Sequence, residues 1–393
     1  MQNENPGQQK AITSRRPLIL VVAGPGSGKT FTLIERIKSL ITEGVVPGEI
    51  VAITFTQAAA SELAHRLARE RLDGKSDPLG YCGTLHGFIF RLLRQDNIGN
   101  AMGCDARTAV LDESQADKVI EESTKAMSYK GTKAAVAVAL ERGPVAIKPK
   151  VMAGAELVAA HFYQSLRRNN LVTFDTILHY GGIVVDQLHG YSHLLVDEYQ
   201  DSCPLDAIIY EFLSIPNKCF VGDPDQAIYG FRGGDVKHIL DVAACLGTEI
   251  IRLERNYRSD AVICLAAQKL IEHNKGRVRK MTVPESKEMG RAIAVRHVDQ
   301  DSECNWLADQ VRRRQPETIA VLLRTNKLVE DFTKVLTGAG ITVATKERPP
   351  RPSDWTAAKT FVALTENPEN DWLAAAFLAH VQGEEAAAKH KLK

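Results

Sequence analysis

The sequence predicts an α/β protein built around a parallel sheet, and three observations lead there. The apolar run Leu18-Ile-Leu-Val-Val22 suits a strand buried on both faces, and a glycine-rich turn and a helical pattern follow it. A second apolar run, Leu194-Leu-Val196, ends in two adjacent acids, Asp197 and Glu198. Strands alternate with helical segments on either side of a block, 95–190, whose patterning is helical alone. The expected organisation is a first α/β domain over 1–94 and 191–255, a helical insertion over 95–190, a partial second α/β domain over 256–381 and a fraying tail over 382–393.

Composition narrows the class. The 393 residues are 44% hydrophobic and 25% charged, ordinary globular values with enough chain for two or three domains. No apolar run approaches a membrane span, and the polar N-terminus lacks a signal-peptide core, so a soluble cytoplasmic protein without membrane contact is expected. Seven dispersed cysteines with no Cys-x-x-Cys pair argue against a disulfide framework or a zinc site. A net charge of +1 means that any nucleic-acid contact must come from local basic surface.

Taken in order, the first element ends in Ala23-Gly-Pro-Gly-Ser-Gly-Lys-Thr30. Strand, glycine-rich loop and helix (31–38) form the context of a phosphate-binding loop. Gly24, Gly26 and Gly28 allow the tight turn that points successive N–H groups inward, with Pro25 and Ser27 between them. The helix N-terminus adds partial positive charge. Lys29 can reach the β- and γ-phosphates of a nucleotide, and the Thr30 hydroxyl can ligate Mg²⁺. The first position is Ala23 rather than Gly.

Residues 49–56 read as a second strand and 57–71 as a helix with Ala58, Ala59, Leu63 and Leu67 inward. Residues 81–94 read as a turn running into a helix, with Thr84 and His86 at the junction. In the insertion, 110–120 resembles a capped helix start, and 156–169 and 174–186 look helical. The strand 193–196 then delivers Asp197 and Glu198, one carboxylate to hold Mg²⁺ and one to orient an attacking water.

Residues 218–233 give another strand and a loop. Gln226 there is a neutral donor and acceptor suited to a γ-phosphate, and Tyr229, Phe231 and Arg232 offer rings and a guanidinium for base stacking. After the crossing at 248–259, Tyr257 can stack on adenine and Arg258 can bridge to the γ-phosphate. A helix over 260–275, a surface basic cluster of Arg277, Arg279 and Lys280, a strand over 317–326, a helix over 329–336 and a short strand over 341–344 follow.

The ordered motifs resemble the UvrD/Rep family of superfamily 1 DNA helicases. Asn5-Pro-Gly-Gln8 is similar to the family's Q motif, the loop 23–30 to Walker A, Thr54-Phe55-Thr56 to motif Ia, and Gly83-Thr-Leu-His86 to motif Ib. Val196-Asp-Glu-Tyr-Gln-Asp201 is similar to motif II and Gly222-Asp-Pro-Asp-Gln-Ala-Ile-Tyr-Gly-Phe-Arg232 to motif III. Asn256-Tyr-Arg-Ser259 and Leu323-Arg-Thr-Asn326 look like the motifs that open the second motor domain.

The resemblance implies a P-loop NTPase with RecA-like motor domains, a DNA-dependent ATPase and 3′→5′ helicase using ATP and Mg²⁺. It implies that Gln8 reads the adenine edge and Tyr257 stacks on it. Lys29, Thr30 and Asp197 would hold phosphates and metal, Glu198 would activate water, and Gln226 and Arg258 would report the γ-phosphate. Phe55, Thr56, Thr84, His86, Tyr229, Phe231, Arg232 and Arg324 would lie along single-stranded DNA or a single-strand/duplex junction.

Two departures stand out. Phe31 replaces an arginine common in the family, which removes one nucleotide contact. No stretch matches the late family motifs, so a truncated, split or remodelled form is expected, with a second chain as one source of those motifs. The competing expectation is a non-motor module that binds ATP and single-stranded DNA with little turnover. An unrelated P-loop kinase or GTPase gives motif III and 256–259 no role.

Overall fold

A computed structural model describes residues 5–69, 79–143, 154–185, 188–228, 230, 234–274, 277–314 and 319–344. They fall into two compact units, one up to Gly290 and one from Arg291 onward.

The first unit is organised by a six-stranded, wholly parallel sheet. Its strands are β1 (Leu18–Ala23), β2 (Ile50–Ile53), β3 (Tyr81–Gly83), β6 (His193–Val196), β7 (Asn217–Gly222) and β8 (Glu249–Leu253), in spatial order β3-β2-β6-β7-β1-β8. Side chains alternate across the pleat, and each strand feeds two cores. Ile19, Val21, Ile50, Ala52, Leu195, Val221 and Ile251 pack on one face with Leu33, Ile34, Ile37 and Leu40 of the helix Lys29–Thr42. Leu20, Val22, Val51, Ile53, Leu194, Val196 and Phe220 pack on the other with Phe88, Ile89 and Leu92 of the helix Leu85–Leu93. Burial on both faces explains why the strands read as unbroken apolar runs.

The insertion has its own smaller core. The two-residue strands β4 (Ala109–Val110) and β5 (Leu171–Val172) pair in parallel and tie its ends together. Ala109, Val119, Ala139, Phe162 and Leu166 fill the space between the helices Glu113–Ala126, Lys133–Glu141 and Ala155–Arg168. Asp112 closes a capping box with Gln115 at the first of these. The next helix, Phe174–Val184, packs into the main sheet's core through Ile177, Tyr180 and Val184.

Several sequence expectations shift. The helix Gln57–Arg69 buries Ala60 and Leu63, whereas Ala58, expected inward, is exposed and Ala59 and Leu67 are half-buried. Residues 256–290, expected in a second domain, pack in the first unit. There β9 (Arg255–Asn256) pairs with β10 (Val283–Pro284).

In the second unit the helices Gln300–Arg313 and Asn326–Gly338 meet over Ala308, Leu336 and Ile341. Described residues 319–323 and 341–344, expected as strands, pair with no strand among the described residues. An apolar run becomes a strand only where a ladder partner accepts it.

Candidate nucleotide site at the sheet edge

Strands of a parallel sheet all point the same way, so the loops that follow them gather at one rim. The loop 24–28 leaves β1 there, Asp197 and Glu198 leave β6, Asp223 to Gln226 leave β7, and Asn256 to Arg258 follow β8 through β9. The candidate nucleotide residues therefore sit on the four strands β6-β7-β1-β8. Those expected near DNA at Thr56 and Thr84 follow β2 and β3, at the other side of the sheet.

The loop is a turn that requires glycine. Gly26 and Gly28 have φ of 65° and 84°, where a side chain is strained. A Cβ on Gly26 would sit 2.6 Å from Cβ of Arg258, and one on Gly28 2.7 Å from Nε2 of Gln8. The turn is closed by Ser27, whose buried Oγ donates to the Gly24 carbonyl at 2.7 Å. Gly28 is the N-cap of Lys29–Thr42 without a side-chain cap, which leaves the helix's first N–H groups facing the rim.

Lys29 projects from the first turn and donates to Glu198 Oε2 at 2.7 Å, with Gln226 Oε1 3.5 Å away. The first turn also presents the half-buried Thr30. Glu198 is held in the left-handed region at φ 53°, an uncommon conformation for a non-glycine residue. Asp197 is almost wholly buried. Burial, and then the neighbouring Glu198 charge, push its carboxyl up to about 6, against the pull of Lys29. The same causes push Asp201 up to about 6.

Three residues to which the sequence reading gave no role connect these strand ends. Gln200, buried at the turn after β6, donates to Glu198 at 2.9 Å and to Asp201 at 3.2 Å, and accepts from the Asp223 N–H at 2.9 Å. Asn256, also buried, donates to the Pro25 carbonyl at 2.7 Å and accepts from the N–H groups of Arg258 and Ser259. Asp223, fully buried, accepts from Gln226 Nε2 at 2.5 Å and from the Lys280 ammonium. Each of the three lay inside a quoted motif, and their partner Lys280 in the basic cluster, but nothing in the residue types alone singled them out.

The remaining expected positions are distributed as follows. Gln8, on the helix Pro6–Thr13, donates to the Ser27 carbonyl at 3.0 Å; buried Arg36 ties that helix to Lys29–Thr42 through the Ala11 and Ser14 carbonyls. Tyr257 has an exposed ring, its N–H on the Gly26 carbonyl and its hydroxyl accepting from Asn5. Arg258 is exposed beside Gly26.

Thr56 and Thr84 use their hydroxyls as helix caps, accepting from Ala59 at 3.1 Å and Gly87 at 3.2 Å, and Phe55 is half-buried. His86 packs edge-on against Phe174, and burial lowers its pKa, favouring the neutral ring. Arg324 belongs to the second unit, and Tyr229, Phe231 and Arg232 lie outside the described residues. The basic cluster expected at the surface is divided. Arg279 is exposed, but Lys280 and Arg277 are drawn inward by Asp223 and Asp225. A cavity of about 750 Å³ is lined by Arg252, Glu254, Gln268, Glu272, Arg277 and Lys280, and no phosphate-loop residue contributes to it.

The donor set fits a small divalent cation that brings its own ligands. Among the described residues no three His, Cys, Asp or Glu side chains converge as a protein-only metal site. A buried carboxylate, Asp197, at the same rim as the Thr30 hydroxyl suits a phosphate-bound Mg²⁺, because that ion takes one or two carboxylates and fills its shell with phosphate and water. None of the described helices is long and apolar enough to cross a membrane.

Comparison with known proteins agrees with this arrangement. Residues 4–245 match the UvrD/REP helicase N-terminal domain, and residues 251–348 match the UvrD-like helicase C-terminal domain. The chain is 29% identical to a probable DNA helicase II homolog of Rickettsia felis, over 84% of this chain and 54% of that protein. It is 32% identical to DNA helicase II of Escherichia coli, over 70% of this chain and 41% of that one, and 29% identical to the ATP-dependent DNA helicase PcrA of Staphylococcus epidermidis, over 83% and 48%. It thus spans about half the length of the curated relatives it matches. The two domain models match head to tail through most of the sequence, and the chain belongs to the UvrD/REP helicase family.

Proposed function

We propose that the chain is an ATP-dependent DNA motor of the 3′→5′ helicase type, with ATP·Mg²⁺ held at the rim of the parallel sheet. The observation that supports this most is the meeting of Lys29, Glu198 and Gln226 at the mouth of the glycine loop. A lysine paired with a carboxylate there is poised for exchange. When phosphates reach the loop, Lys29 turns from Glu198 to the β- and γ-oxygens, and Glu198 becomes free to accept a proton from the attacking water.

Asp197 and Thr30 are the residues that would hold Mg²⁺, which supplies charge neutralisation to the phosphates. Helix-start N–H groups stabilise the negative charge that moves toward the leaving oxygen. Gln226 lies beside Lys29 and reads whether a γ-phosphate is present. Arg258 and Tyr257 take the γ-phosphate and the adenine from the side of β9, and Gln8 reads the adenine edge. DNA runs past the ends of β2 and β3, over Phe55, Thr56, Thr84 and His86, with Tyr229, Phe231, Arg232 and Arg324 as further contacts. By sequence, residues 256–381 would belong to the second motor domain, although 256–290 pack within the first unit.

The test is ATP hydrolysis by the full chain with and without single-stranded DNA, followed by unwinding of duplexes with a 3′ or a 5′ tail. Stimulated hydrolysis and unwinding of the 3′-tailed duplex are expected. Purified protein that binds neither ATP nor single-stranded DNA would sink the reading.

A further inference from the structure

We propose that Lys280 is a positioning residue for nucleotide sensing: its ammonium fixes the Asp223 carboxylate, and Asp223 in turn fixes which end of the Gln226 amide faces the phosphates. This rests on the nucleotide reading above.

The segment carrying Lys280 is pinned on both sides, to β8 and to the residue that follows it. Arg252 Nε donates to the Arg279 carbonyl at 2.9 Å, and the Met281 N–H donates to Glu254 at 2.9 Å. Lys280 is thereby delivered beside the glycine loop, its Cε 3.5 Å from where a Cβ of Gly24 would lie. The side chain is 3% exposed, and its ammonium meets Asp223 and, at 2.5 Å, Asp225, themselves 0% and 6% exposed. Arg277 meets Asp225 at 2.8 Å. Two buried acids and two bases balance in charge, and no member can be removed without leaving a desolvated charge.

The consequence for Gln226 follows from donor and acceptor chemistry. One oxygen of Asp223 takes the Lys280 ammonium together with the Asp225 N–H at 3.0 Å, and the other takes Gln226 Nε2 at 2.5 Å. A carboxylate can only accept, so the amide must turn its NH₂ inward. Its oxygen then faces Lys29, 3.5 Å away. Lys280 touches no phosphate position itself; it acts through Asp223.

Asp223→Asn gives a specific expectation. The asparagine carbonyl would stay with Lys280, so its NH₂ would face Gln226 and flip the amide. Gln226 would then present a donor to Lys29 in place of an acceptor. Asp225→Asn leaves the Asp223 carboxylate and the amide as they are.

The experiment titrates the full chain with Mg²⁺–ADP and Mg²⁺–ATPγS and takes the ratio of their dissociation constants. Lys280→Met is expected to lower that ratio about tenfold, the size of one charged hydrogen bond. It should match Gln226→Ala, and the double variant should go no lower. Lys280→Arg should restore most of the ratio. A folded Lys280→Met protein with the wild-type ratio overturns the proposal. So does an equal loss of affinity for both nucleotides, as from a merely structural lysine, or effects that multiply in the double variant.

If Lys280→Met does not fold, the two asparagine variants decide. A ratio lowered by Asp223→Asn and kept by Asp225→Asn supports the proposal, and equal effects contradict it. A wild-type protein that does not distinguish the two nucleotides defeats the γ-phosphate reading itself and takes this proposal with it.

Discussion

The rim of the sheet and the core of the insertion are built on opposite terms. At the rim, Asp197, Gln200, Asp201, Asp223 and Asn256 are buried and polar; the first four are linked through Glu198, Lys29 and Lys280, and Asn256 separately holds the glycine loop. In the insertion the helices meet over Ala109, Val119, Ala139, Phe162 and Leu166, the buried polar groups Thr108, Gln115 and Ser123 are uncharged, and the ion pair Arg142–Glu156 lies outside on the surface. Buried polar groups cost desolvation and give geometry; buried apolar groups give stability and little orientation. The rim carries acids with raised pKa. Left-handed non-glycine residues occur in both regions, Glu198 at the rim and Ser128 and Asn170 in the insertion, so the contrast lies in what the cores are made of.

That contrast can be broken by substitutions on each side. The largest expected effect is at Glu198. Glu198→Gln should lower ATP turnover by about 10²–10⁴, the worth of a positioned general base, while circular dichroism stays unchanged. Turnover near wild type would remove Glu198 from the chemistry. In the insertion, Phe162→Ala should cost about 3–5 kcal/mol in the unfolding of that region, measured by urea denaturation, and leave nucleotide affinity intact. A large fall in nucleotide affinity there would erase the division between the two regions.

A smaller effect is expected from Asn256→Ala, which strands the Pro25 carbonyl and the N–H groups of Arg258 and Ser259. Each orphaned group is worth about 1–3 kcal/mol, so nucleotide binding by calorimetry should weaken about tenfold or more. Unchanged affinity would mean that the loop holds its shape without Asn256.

Acidity sharpens the same contrast. The Asp197 carboxyl is raised to about 6 in the folded chain, above its ordinary 3.8. As pH falls through 6 the folded state takes up a proton that the unfolded state does not. Asp197 therefore ceases to be a cost, and its contribution to stability improves down to about pH 4. Mg²⁺ needs the ionised form, so metal-dependent nucleotide affinity should fall below pH 6 while metal-free affinity changes less. A flat metal-dependent profile from pH 7 to 5 would contradict this. The smallest effect belongs to the insertion's surface: Arg142→Ala should shift stability by at most about 1 kcal/mol.

The two regions also differ in how legible they were. Glycine spacing, an apolar run ending in acids and the order of motifs singled out the loop, Lys29, Asp197, Glu198 and Gln226, which the fold brings to one rim, because each signal is local along the chain. The connections between strand ends were not legible. Gln200 to Asp223, Asn256 to Pro25 and Lys280 to Asp223 are contacts across long stretches of sequence.

Lys280 read as surface because a lysine in a basic cluster usually is solvated; only the fold brings two buried acids to it. Strands were over-read at 319–323 and 341–344, among the described residues, for a related reason, since apolar runs do not reveal whether a ladder partner exists. The helix Gln300–Arg313 was passed over although Asp299 and Ser302 form its capping box.

The most direct test of a nucleotide site at the sheet rim is calorimetric titration of Mg²⁺–ATPγS into the full chain and into Lys29→Met. Saturable binding by the wild type that weakens about a hundredfold or more in the variant is expected, because a charged hydrogen bond to phosphate and its Coulomb attraction are both lost. No binding by the wild type, or equal binding by the two, would contradict it.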